Sequence, residues 1–463
     1  MVNLQKFIIL ALGIILASCT ENIECSVQTH IENGTIVLHS PKRDKGQKSA
    51  LEMTCEPIDT VRIGFVGLGM RGWDALRRFT YIEGVKITAV CDLDAQKVEK
   101  SNEYLSTRGW PKASQYSGED GWKALCEDKN VDLVYICTPW LLHAPVSIYA
   151  MQHGKHVACE VPAMLSIQEC WQVVNTSEKT RRHFMMLENC CYDFYEMTAL
   201  NMAQQGLFGE IYHAEGAYIH NLDPYWNKYQ GNWRLDYNQK FRGDNYPTHG
   251  LGPLCQVLNI HRGDRMKTLV AMDTKSIHGI EVAKEKMGAK EFQNGDHTVT
   301  LIRTELGHQI EIQHNVYAAR PYSRMYQLTG TKGFANKYPR PGFAIGDNPE
   351  KFVKKEEFDS LVRAYKHPIT TEYEAKAKQV GGHGGMDYIM DSRLIYCLRN
   401  GLKLDQDVYD AAEWCCISEL SRISITSGSM PVEVPDFTRG DWNKVQGFHH
   451  AKIQNCAEEK IGL

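Results

Sequence analysis

The chain has 463 residues, a hydrophobic fraction of 43%, a charged fraction of 23% and a formal net charge of −4. One hydrophobic core rarely grows to this size, so we expect two domains. Because the chain has no surplus of basic residues, its composition argues against a nucleic-acid-binding protein.

The first 19 residues, MVNLQKFIILALGIILASC, are predicted to be an export signal. Their apolar run is too short for a comfortable membrane span and fits the apolar core of a signal peptide. The segment Leu16-Ala17-Ser18-Cys19 resembles the lipobox of bacterial lipoproteins, in which the cysteine becomes the lipidated N-terminus. We therefore expect an exported lipoprotein that is attached to a membrane only through Cys19. The sequence does not assign the side of the membrane on which the protein lies. A plain secretory signal is the alternative.

Residues 20–59 are polar and lack a sustained hydrophobic period, so we predict a tether followed by a lead-in. The 15 cysteines of the chain show no spacing typical of a zinc site, and we predict no metal centre. Most of the cysteines are expected to be small buried hydrophobic residues. An exported protein permits disulfides, but the sequence does not assign any.

A Rossmann dinucleotide-binding domain is predicted over residues 60–190. Four apolar strands alternate there with helical segments, as parallel βαβ units require. The strand sequences are VRIGFV (61–66), VKITAVCD (85–92), VDLVYICTP (131–139) and HVACEVP (156–162).

An α+β domain with a mostly antiparallel sheet is predicted over residues 191–463. Segments around 210–221, 268–279, 297–318 and 323–335 have the composition of strands joined by turns. Residues 384–428 have a helical pattern, and 431–442 are predicted to form a closing loop. Packing through the antiparallel sheet would permit a homo-oligomer. The fold class is therefore α/β, with a Rossmann domain followed by an α+β domain.

The sequence Gly67-Leu68-Gly69-Met70-Arg71-Gly72 is a G-x-G-x-x-G motif between a predicted strand and a predicted helix. Gly67 permits the tight turn, Gly69 lets a pyrophosphate approach the backbone, and Gly72 lets the helix pack on the strand. Asp92 follows 20 residues later, where a carboxylate can accept a hydrogen bond from a ribose hydroxyl. This acid would repel a 2′-phosphate, so NAD is favoured over NADP.

The segment CTPWLLHAP (137–145) lies at the carboxyl end of the third predicted strand, where open α/β sheets bind their ligands. We expect it to contact the cofactor through Trp140, Leu141, Leu142 and His143. For His143, a position in the core is an equal alternative.

Several motifs resemble those of known families. GLGMRG, CTPWLLHAP, GKHVACEVP and MLEN together resemble the Gfo/Idh/MocA oxidoreductases. GNWRLDY (231–237), NYPTHGLGP (245–253), RPYSR (320–324), GGHGGMDYIM (381–390) and PVEVPDF (431–437) are more similar to glycoside hydrolase family 109, the NAD-dependent α-N-acetylgalactosaminidases.

Two positions depart from the dehydrogenases of the wider family. Those enzymes usually carry Glu-Lys-Pro where this chain has Glu160-Val161-Pro162, and an aspartate where it has Asn245. A valine cannot transfer a proton, so a different use of the dinucleotide is expected.

The resemblance to family 109 implies a redox-neutral glycosidase cycle. Hydride leaves C3 of the sugar, a base removes the C2 proton, the aglycone is eliminated, water adds, and the hydride returns. NAD-dependent glycosidases of this kind need no pair of catalytic carboxylates. Because no electrons leave the cycle, tightly held NAD suffices, which suits an exported protein.

The resemblance also implies which residues bind the ligands. Glu160, Val161 and Asn189 are expected near the nicotinamide ribose. The glycan substrate, with its terminal N-acetylgalactosamine, is expected to contact Tyr218, Arg234, Tyr246, Pro247, Thr248, His249 and Tyr322. Nine aromatic residues between positions 212 and 254 indicate a sugar-binding wall, although several could instead form a packed sheet face.

His249 is the predicted proton-transfer residue, because the pKa of imidazole lies near working pH. Tyr246 lies three residues earlier and would share a helical face with His249. Tyr246 could bind the reacting hydroxyl or act as the C2 base, and Tyr192 is a rival for proton transfer. The GGHGG segment around His383 is interpreted as a glycine loop near the mouth of the site or a structural turn.

Two other functions are left open: a Gfo/Idh/MocA-type sugar dehydrogenase or 3-keto-glycoside-forming enzyme, and a lipoprotein that binds glycans without turning them over. The missing lysine at position 161 argues against the former, and the intact glycine motif and His249 argue against the latter. Linkage preference, the natural glycan and the C2 base are not assigned by the sequence.

Overall fold

A computed structural model describes residues 29–346 and 349–453. The predicted export signal and Cys19 lie outside these residues. Among the residues described, no helix combines the length and apolar character needed to cross a bilayer.

The described part of the chain begins with a hairpin formed by strands β1 (Thr29–Glu32) and β2 (Thr35–Leu38). The sequence predicts a tether and lead-in here, but β2 instead joins the large sheet of the second domain. Ile36 and Leu38 are buried, and Ile36 N–H donates to the Pro431 carbonyl over 2.8 Å. Buried and less buried residues alternate in β2 over only four positions. So short a pattern, among polar neighbours, does not produce the sustained periodicity that predicts a strand.

The first domain is a parallel six-stranded sheet with helices on its faces. Its strands follow the order β5-β4-β3-β6-β7-β8, which confirms the predicted Rossmann architecture. The elements are β3 (Val61–Val66), α1 (Met70–Phe79), β4 (Val85–Asp92), α2 (Ala95–Thr107), β5 (Ser114–Ser117), α3 (Gly121–Glu127), β6 (Leu133–Ile136), α4 (His143–Gln152), β7 (His156–Cys159), α5 (Ile167–Thr180) and β8 (Phe184–Met186).

The second domain is built on a ten-stranded, mostly antiparallel sheet, as the sequence predicts. The predicted strand at 268–279 ends at Asp273. The elements up to residue 380 are α6 (Phe194–Gln204), β9 (Ile211–Ile219), α7 (Trp233–Lys240), α8 (Thr248–Val257), β10 (Met266–Asp273), α9 (His278–Met287), β11 (Thr298–Thr304), β12 (Gln309–Asn315), β13 (Ser323–Gly330), β14 (Gly333–Asn336), β15 (Gly342–Ile345), α10 (Lys355–Ala364) and α11 (Pro368–Val380).

The chain closes with helices α12 (Met386–Arg399) and α13 (Val408–Thr426) and the short strand β16 (Val432–Glu433). β16 lies between β2 and β10, so the predicted closing loop contributes to the sheet. Helix α12 returns to the first domain, where Asp391 accepts from Arg78 Nε over 3.0 Å and from the Tyr135 hydroxyl over 2.9 Å. The C-terminal helices therefore complete the core of the Rossmann domain.

The twelve cysteines in the described part of the chain are all free thiols, and all except Cys55 and Cys137 are buried. They pack as small apolar side chains.

Candidate active site

The glycine motif forms a tight turn between β3 and α1. Gly67 has φ of +90°, and a Cβ there would lie 2.6 Å from the Cys137 carbonyl oxygen; a Cβ on Gly72 would lie 1.8 Å from the Gly67 oxygen. A Cβ on Gly69 would meet nothing within 4 Å. Helix α1 also begins without a side-chain cap hydrogen bond. Open space therefore faces free backbone N–H groups, as pyrophosphate binding requires.

Asp92 lies against this turn. Its Oδ2 accepts from Leu68 N–H over 2.7 Å, and its Oδ1 accepts from Asp94 N–H over 3.0 Å. These bonds hold the carboxylate at the end of β4, where it can receive a ribose hydroxyl. At the ends of the neighbouring strands, three large apolar side chains are exposed: Met70, Leu141 and Leu142.

Trp140 and His143 differ from these exposed neighbours. His143 is buried, with Nδ1 2.7 Å from the Pro162 carbonyl oxygen and Nε2 2.8 Å from that of Thr138, and burial lowers its pKa. His143 therefore lies in the core, as the alternative interpretation expects, and both of its ring nitrogens contact backbone carbonyl oxygens. Trp140 is buried and its ring centroid lies 5.8 Å from that of Tyr246, on the side of the aromatic residues described below.

Glu160 belongs to a chain of charged groups. Its Oε1 accepts from Arg71 Nε over 2.9 Å, and Arg71 Nη1 lies 3.2 Å from Asp387 Oδ2. Asn189 Nδ2 donates to the other oxygen of Asp387 over 2.5 Å. Burial raises the pKa of Asp387, but Arg71 and His383 outweigh it and hold that pKa well below its usual range. Glu160 and Asn189 are thereby linked through residues of the glycine motif and of α12.

His383 ends this chain of charges. Its Nδ1 lies 2.9 Å from Asp387 Oδ2, and 53% of its side chain is exposed. The sequence interpretation gives the GGHGG segment no chemical role. Helical spacing does not predict this contact, because His383 precedes α12 and has a φ of +44°.

His249, in the first turn of α8, pairs with Glu188. Its Nδ1 lies 2.7 Å and 2.9 Å from the two oxygens of the Glu188 carboxylate. Burial raises the pKa of Glu188, but the charge and hydrogen bond of His249 outweigh burial and leave that pKa lowered. A carboxylate on Nδ1 fixes the orientation of the ring and directs Nε2 away from it. Sequence reasoning missed Glu188, although it lies in the MLEN motif.

Arg234 lies in an aromatic cage without a carboxylate. Its Nη1 donates to the Tyr229 hydroxyl over 2.8 Å, and its buried Nε and Nη2 have no hydrogen-bond partner within residues 29–346 and 349–453. Its guanidinium carbon lies 4.8–5.8 Å from four ring centroids, those of Trp140, Tyr218, Tyr229 and Tyr246. Cation–π attraction stabilises the charge. The unpartnered N–H groups remain available to a ligand, because leaving them unpaired is costly.

Tyr246 connects the cage to His249. The two ring centroids lie 4.9 Å apart with the planes perpendicular, and Tyr218 lies 4.5 Å from Tyr246 and 5.4 Å from His249. The expectation of a shared helical face is wrong, since α8 begins at Thr248 and Tyr246 precedes it. Pro247 and Thr248 make the turn that brings the two rings together.

Comparison with known proteins identifies the family of each of the two domains. The family model described as "Oxidoreductase family, NAD-binding Rossmann fold" matches residues 61–187, and "Glycosyl hydrolase 109, C-terminal domain" matches residues 192–444. The chain belongs to glycoside hydrolase family 109. Its first domain is an NAD-binding Rossmann domain, and its cofactor is NAD.

Relatives named as family 109 proteins match almost end to end. "Glycosyl hydrolase family 109 protein 1" of Phocaeicola vulgatus is 56% identical and is covered over 99% of its length by 98% of this chain. "Glycosyl hydrolase family 109 protein" of Porphyromonas gingivalis is 55% identical, with 97% of this chain and 99% of the relative covered.

Solved structures share the fold at low identity. A levoglucosan dehydrogenase in complex with NADH and L-sorbose has a TM-score of 0.64 and 16% identity, over 82% of this chain and all of that chain. The WlbA dehydrogenase of Bordetella pertussis, in complex with NADH and UDP-GlcNAcA, has a TM-score of 0.60 and 16% identity, over 82% and 99%. These similarities support the fold alone.

Two further residues predicted for the site, Tyr322 and Tyr192, differ in exposure. Tyr322 is 40% exposed, and its ring lies 5.1 Å from that of His220 and 6.5 Å from that of Tyr218. Tyr192 is fully buried, and its hydroxyl lies 3.5 Å from Asp405 Oδ2. The structure therefore gives the Tyr192 hydroxyl a core partner instead of a place beside His249.

The predicted aromatic wall is only partly formed by the nine aromatics of residues 212–254. Tyr218, Tyr229 and Tyr246 line the cage. Tyr212 is exposed, and Trp226 is buried against Tyr317. Packing therefore accounts for several of the nine, as the alternative interpretation expects.

Proposed function

We propose that this family 109 protein removes terminal N-acetylgalactosamine from glycans through a 3-keto sugar, by oxidation, elimination, water addition and reduction. The observation that carries the proposal is the Glu188–His249 pair near Arg234, whose Nε and Nη2 have no hydrogen-bond partner among the described residues. Val161 supports it, because no lysine is present there to serve a simple dehydrogenation. The acetamido group and the α linkage rest on the family resemblance.

The Gly67–Gly72 turn and Asp92 would hold NAD, which would supply the hydride acceptor for C3 of the sugar and the hydride donor for the final reduction. His249 accepts the proton of the C3 hydroxyl at Nε2, because Glu188 holds Nδ1 and stabilises the imidazolium that forms. Burial and the neighbouring Tyr218 raise the pKa of Tyr246, while Arg234 opposes them, and the pKa remains well above its ordinary value. Tyr246 therefore stays a phenol and donates a hydrogen bond to the sugar oxygen.

Arg234 and Tyr218 orient the sugar. The free Nε–H and Nη2–H of Arg234 bind sugar oxygens, and the Tyr218 ring packs on the apolar face of the pyranose. His383, half exposed and paired with Asp387, has the solvent access needed to deliver a proton to the departing aglycone oxygen.

The experiment uses purified protein and a chromogenic α-N-acetylgalactosaminide in deuterated water without added cofactor. Deuterium at C2 of the released sugar, with no net NADH, is the expected result. Release without C2 exchange would overturn the elimination mechanism. NADH accumulation would indicate a dehydrogenase, and binding without release would indicate a non-catalytic glycan-binding protein. The β-linked substrate, run in parallel, reports the linkage preference.

We propose further that the protein is an exported lipoprotein attached to a membrane through Cys19. The LASC segment after an apolar run supports this. Growth of an expressing bacterium with an alkyne-tagged fatty acid should label the wild-type protein and leave Cys19→Ala unlabelled. Equal labelling of the two would contradict the assignment. We also propose that the protein forms a homo-oligomer through the antiparallel sheet, and light scattering of the purified protein measures the number of copies.

A further inference from the structure

Three side chains in the floor of the site offer different metal-ligand atoms close together. The Glu188 carboxylate, the Cys190 thiol and the His249 imidazole place one such atom each within 4.8 Å of the others. We propose that these three residues form a binding site for Zn²⁺ that inhibits the enzyme. The sequence predicts no metal centre because His249 is 61 positions from Glu188, and only the fold brings the three residues together.

The separations between the three ligand atoms fit a tetrahedral Zn²⁺ site after small movements of the side chains. Zn–N and Zn–O bonds of about 2.0 Å and Zn–S bonds of about 2.3 Å put the ligand atoms of a tetrahedral site roughly 3.3–3.5 Å apart. The His249 Nδ1 and Glu188 Oε1 atoms, 2.7 Å apart, would separate slightly, while the sulfur would approach them. Because the imidazole is partly exposed, a water molecule or a sugar hydroxyl can occupy the fourth position.

The surrounding charges permit a cation. The nearby Arg324 guanidinium contacts two carboxylates: its Nη2 lies 3.0 Å from Asp193 and 3.1 Å from Glu196. A lysine, Lys337, lies 2.7 Å from Asp193, so these four charges balance. When Zn²⁺ binds, a Zn–S bond replaces the S–H bond of Cys190, and that proton passes to water. A Zn–N bond also replaces the Nδ1–H bond of His249, and that proton moves to Nε2, which can then no longer accept one.

Cys190 gives the site its selectivity. Thiolate and imidazole ligands favour Zn²⁺, whereas Mg²⁺ and Ca²⁺ take oxygen ligands. The inhibition rests on the proposed function, since it requires that the imidazole bound to the metal be the proton acceptor of the reaction. The binding itself rests only on the three donors.

The neighbouring cysteine supplies a matched control. Cys191 is also buried, and its sulfur lies near Gly252, 3.2 Å from the place a Cβ there would occupy. Cys190→Ala and Cys191→Ala each remove one buried thiol, but only the former removes a proposed ligand. Each variant is compared with its own rate in the absence of metal.

The test measures binding and inhibition separately on the full chain with its own NAD. Co²⁺, a spectroscopic substitute for Zn²⁺, should give a thiolate-to-metal charge-transfer band with wild type and Cys191→Ala that is lost in Cys190→Ala. The Zn²⁺ concentration for half-inhibition should rise about tenfold or more in Cys190→Ala alone, with Mg²⁺ inert throughout.

Two results would overturn the inference: a cobalt band that survives in Cys190→Ala, or equal zinc sensitivity of all three proteins. If the band behaves as expected and Zn²⁺ does not inhibit, the site binds metal but its inhibitory role is refuted, and with it the role of His249. If the protein has no glycosidase activity, the cobalt spectra still decide the binding.

Discussion

Two histidines near opposite ends of α8 both contact carboxylates, but in different surroundings. His249 contacts one carboxylate, that of Glu188, and its side chain is 14% exposed beside the aromatic cage. His261 is fully enclosed, with Nδ1 2.7 Å from Glu413 and Nε2 3.4 Å from Asp407. A carboxylate partner by itself therefore does not distinguish a reactive histidine from a structural one.

The charges around His261 explain its different role. Burial and the adjacent Arg262 lower the pKa of His261, but Glu413, Asp407 and Asp410 outweigh them and raise it to about 10. The imidazole thus stays charged at neutral pH and cannot act as a base. His249, with one carboxylate and an open face, can both take and return a proton.

Two arginines extend the comparison. Arg262 lies beside His261, and its Nη1 and Nη2 donate to the two oxygens of Asp410 over 3.0 Å and 2.8 Å. Arg234 is surrounded by aromatic rings, and two of its nitrogens, Nε and Nη2, have no hydrogen-bond partner among the described residues. We infer that a buried arginine held by a carboxylate is structural, whereas one with unpaired nitrogens can bind a ligand.

The largest effect is expected for His249→Asn. Loss of the proton acceptor should lower kcat/KM roughly 10²–10⁴-fold, with NAD still bound. Steady-state rates and the NAD content of the purified variant give the measurement. Retention of a large part of the activity would show that the open histidine is as structural as His261.

Glu188→Gln should lower kcat about 10²-fold, because the amide no longer fixes the ring orientation or stabilises the imidazolium. The control is Glu215→Gln, which alters the Glu215–His213 contact on β9, where Nε2 and Oε1 are 3.3 Å apart. Equal activities of the two variants would contradict a positioning role for Glu188.

Arg234→Lys should raise KM about tenfold and change kcat less, because a lysine cannot reproduce the planar donors within the cage. Arg242→Lys, at an arginine paired with Asp273, is the matched control. An unchanged KM in Arg234→Lys would contradict a role of the aromatic cage in binding the substrate.

Glu413→Gln should leave kcat/KM unchanged and lower the free energy of unfolding by about 2 kcal/mol. Because the pKa of His261 is raised from its unfolded value near 6.5 to about 10, the stability it contributes is fully present below pH 6.5 and is lost as the pH rises through about 10.

Urea unfolding of wild type and Glu413→Gln at about pH 6 and about pH 10 checks this linkage. The stability difference between the two proteins should be larger at the lower pH. A difference that grows with pH would contradict a charged His261.

The sequence predicts the parts of the site that depend on local patterns. The glycine motif can be recognised because Gly67, Gly69 and Gly72 lie between a predicted strand and a predicted helix. Asp92 can be recognised because it lies at the end of the next predicted strand. In contrast, Glu188 and Asp387 acquire their roles from partners brought together by the fold: Glu188 from His249, 61 positions away, and Asp387 from Arg71, 316 positions away. No spacing rule covers such distances.

Tyr192 and the N-terminal hairpin show why the sequence alone is insufficient elsewhere. Tyr192 follows Asn189 closely, but its hydroxyl meets Asp405, 213 positions later, in the core. The hairpin at residues 29–38 buries only two apolar side chains in β2, so its polar neighbours dominate the composition. Motif similarity locates a residue in the chain, and packing decides which way its side chain points.

The return of α12 to the first domain has a consequence for biosynthesis. Arg78 and Tyr135 receive their carboxylate partner from a residue made 313 and 256 positions later. A nascent chain that ends near residue 190 has neither the carboxylate partner of Arg78 nor the α12 helix that supplies it. We therefore expect the Rossmann half to reach its full stability only after α12 has been made, and to be less stable when it is expressed alone.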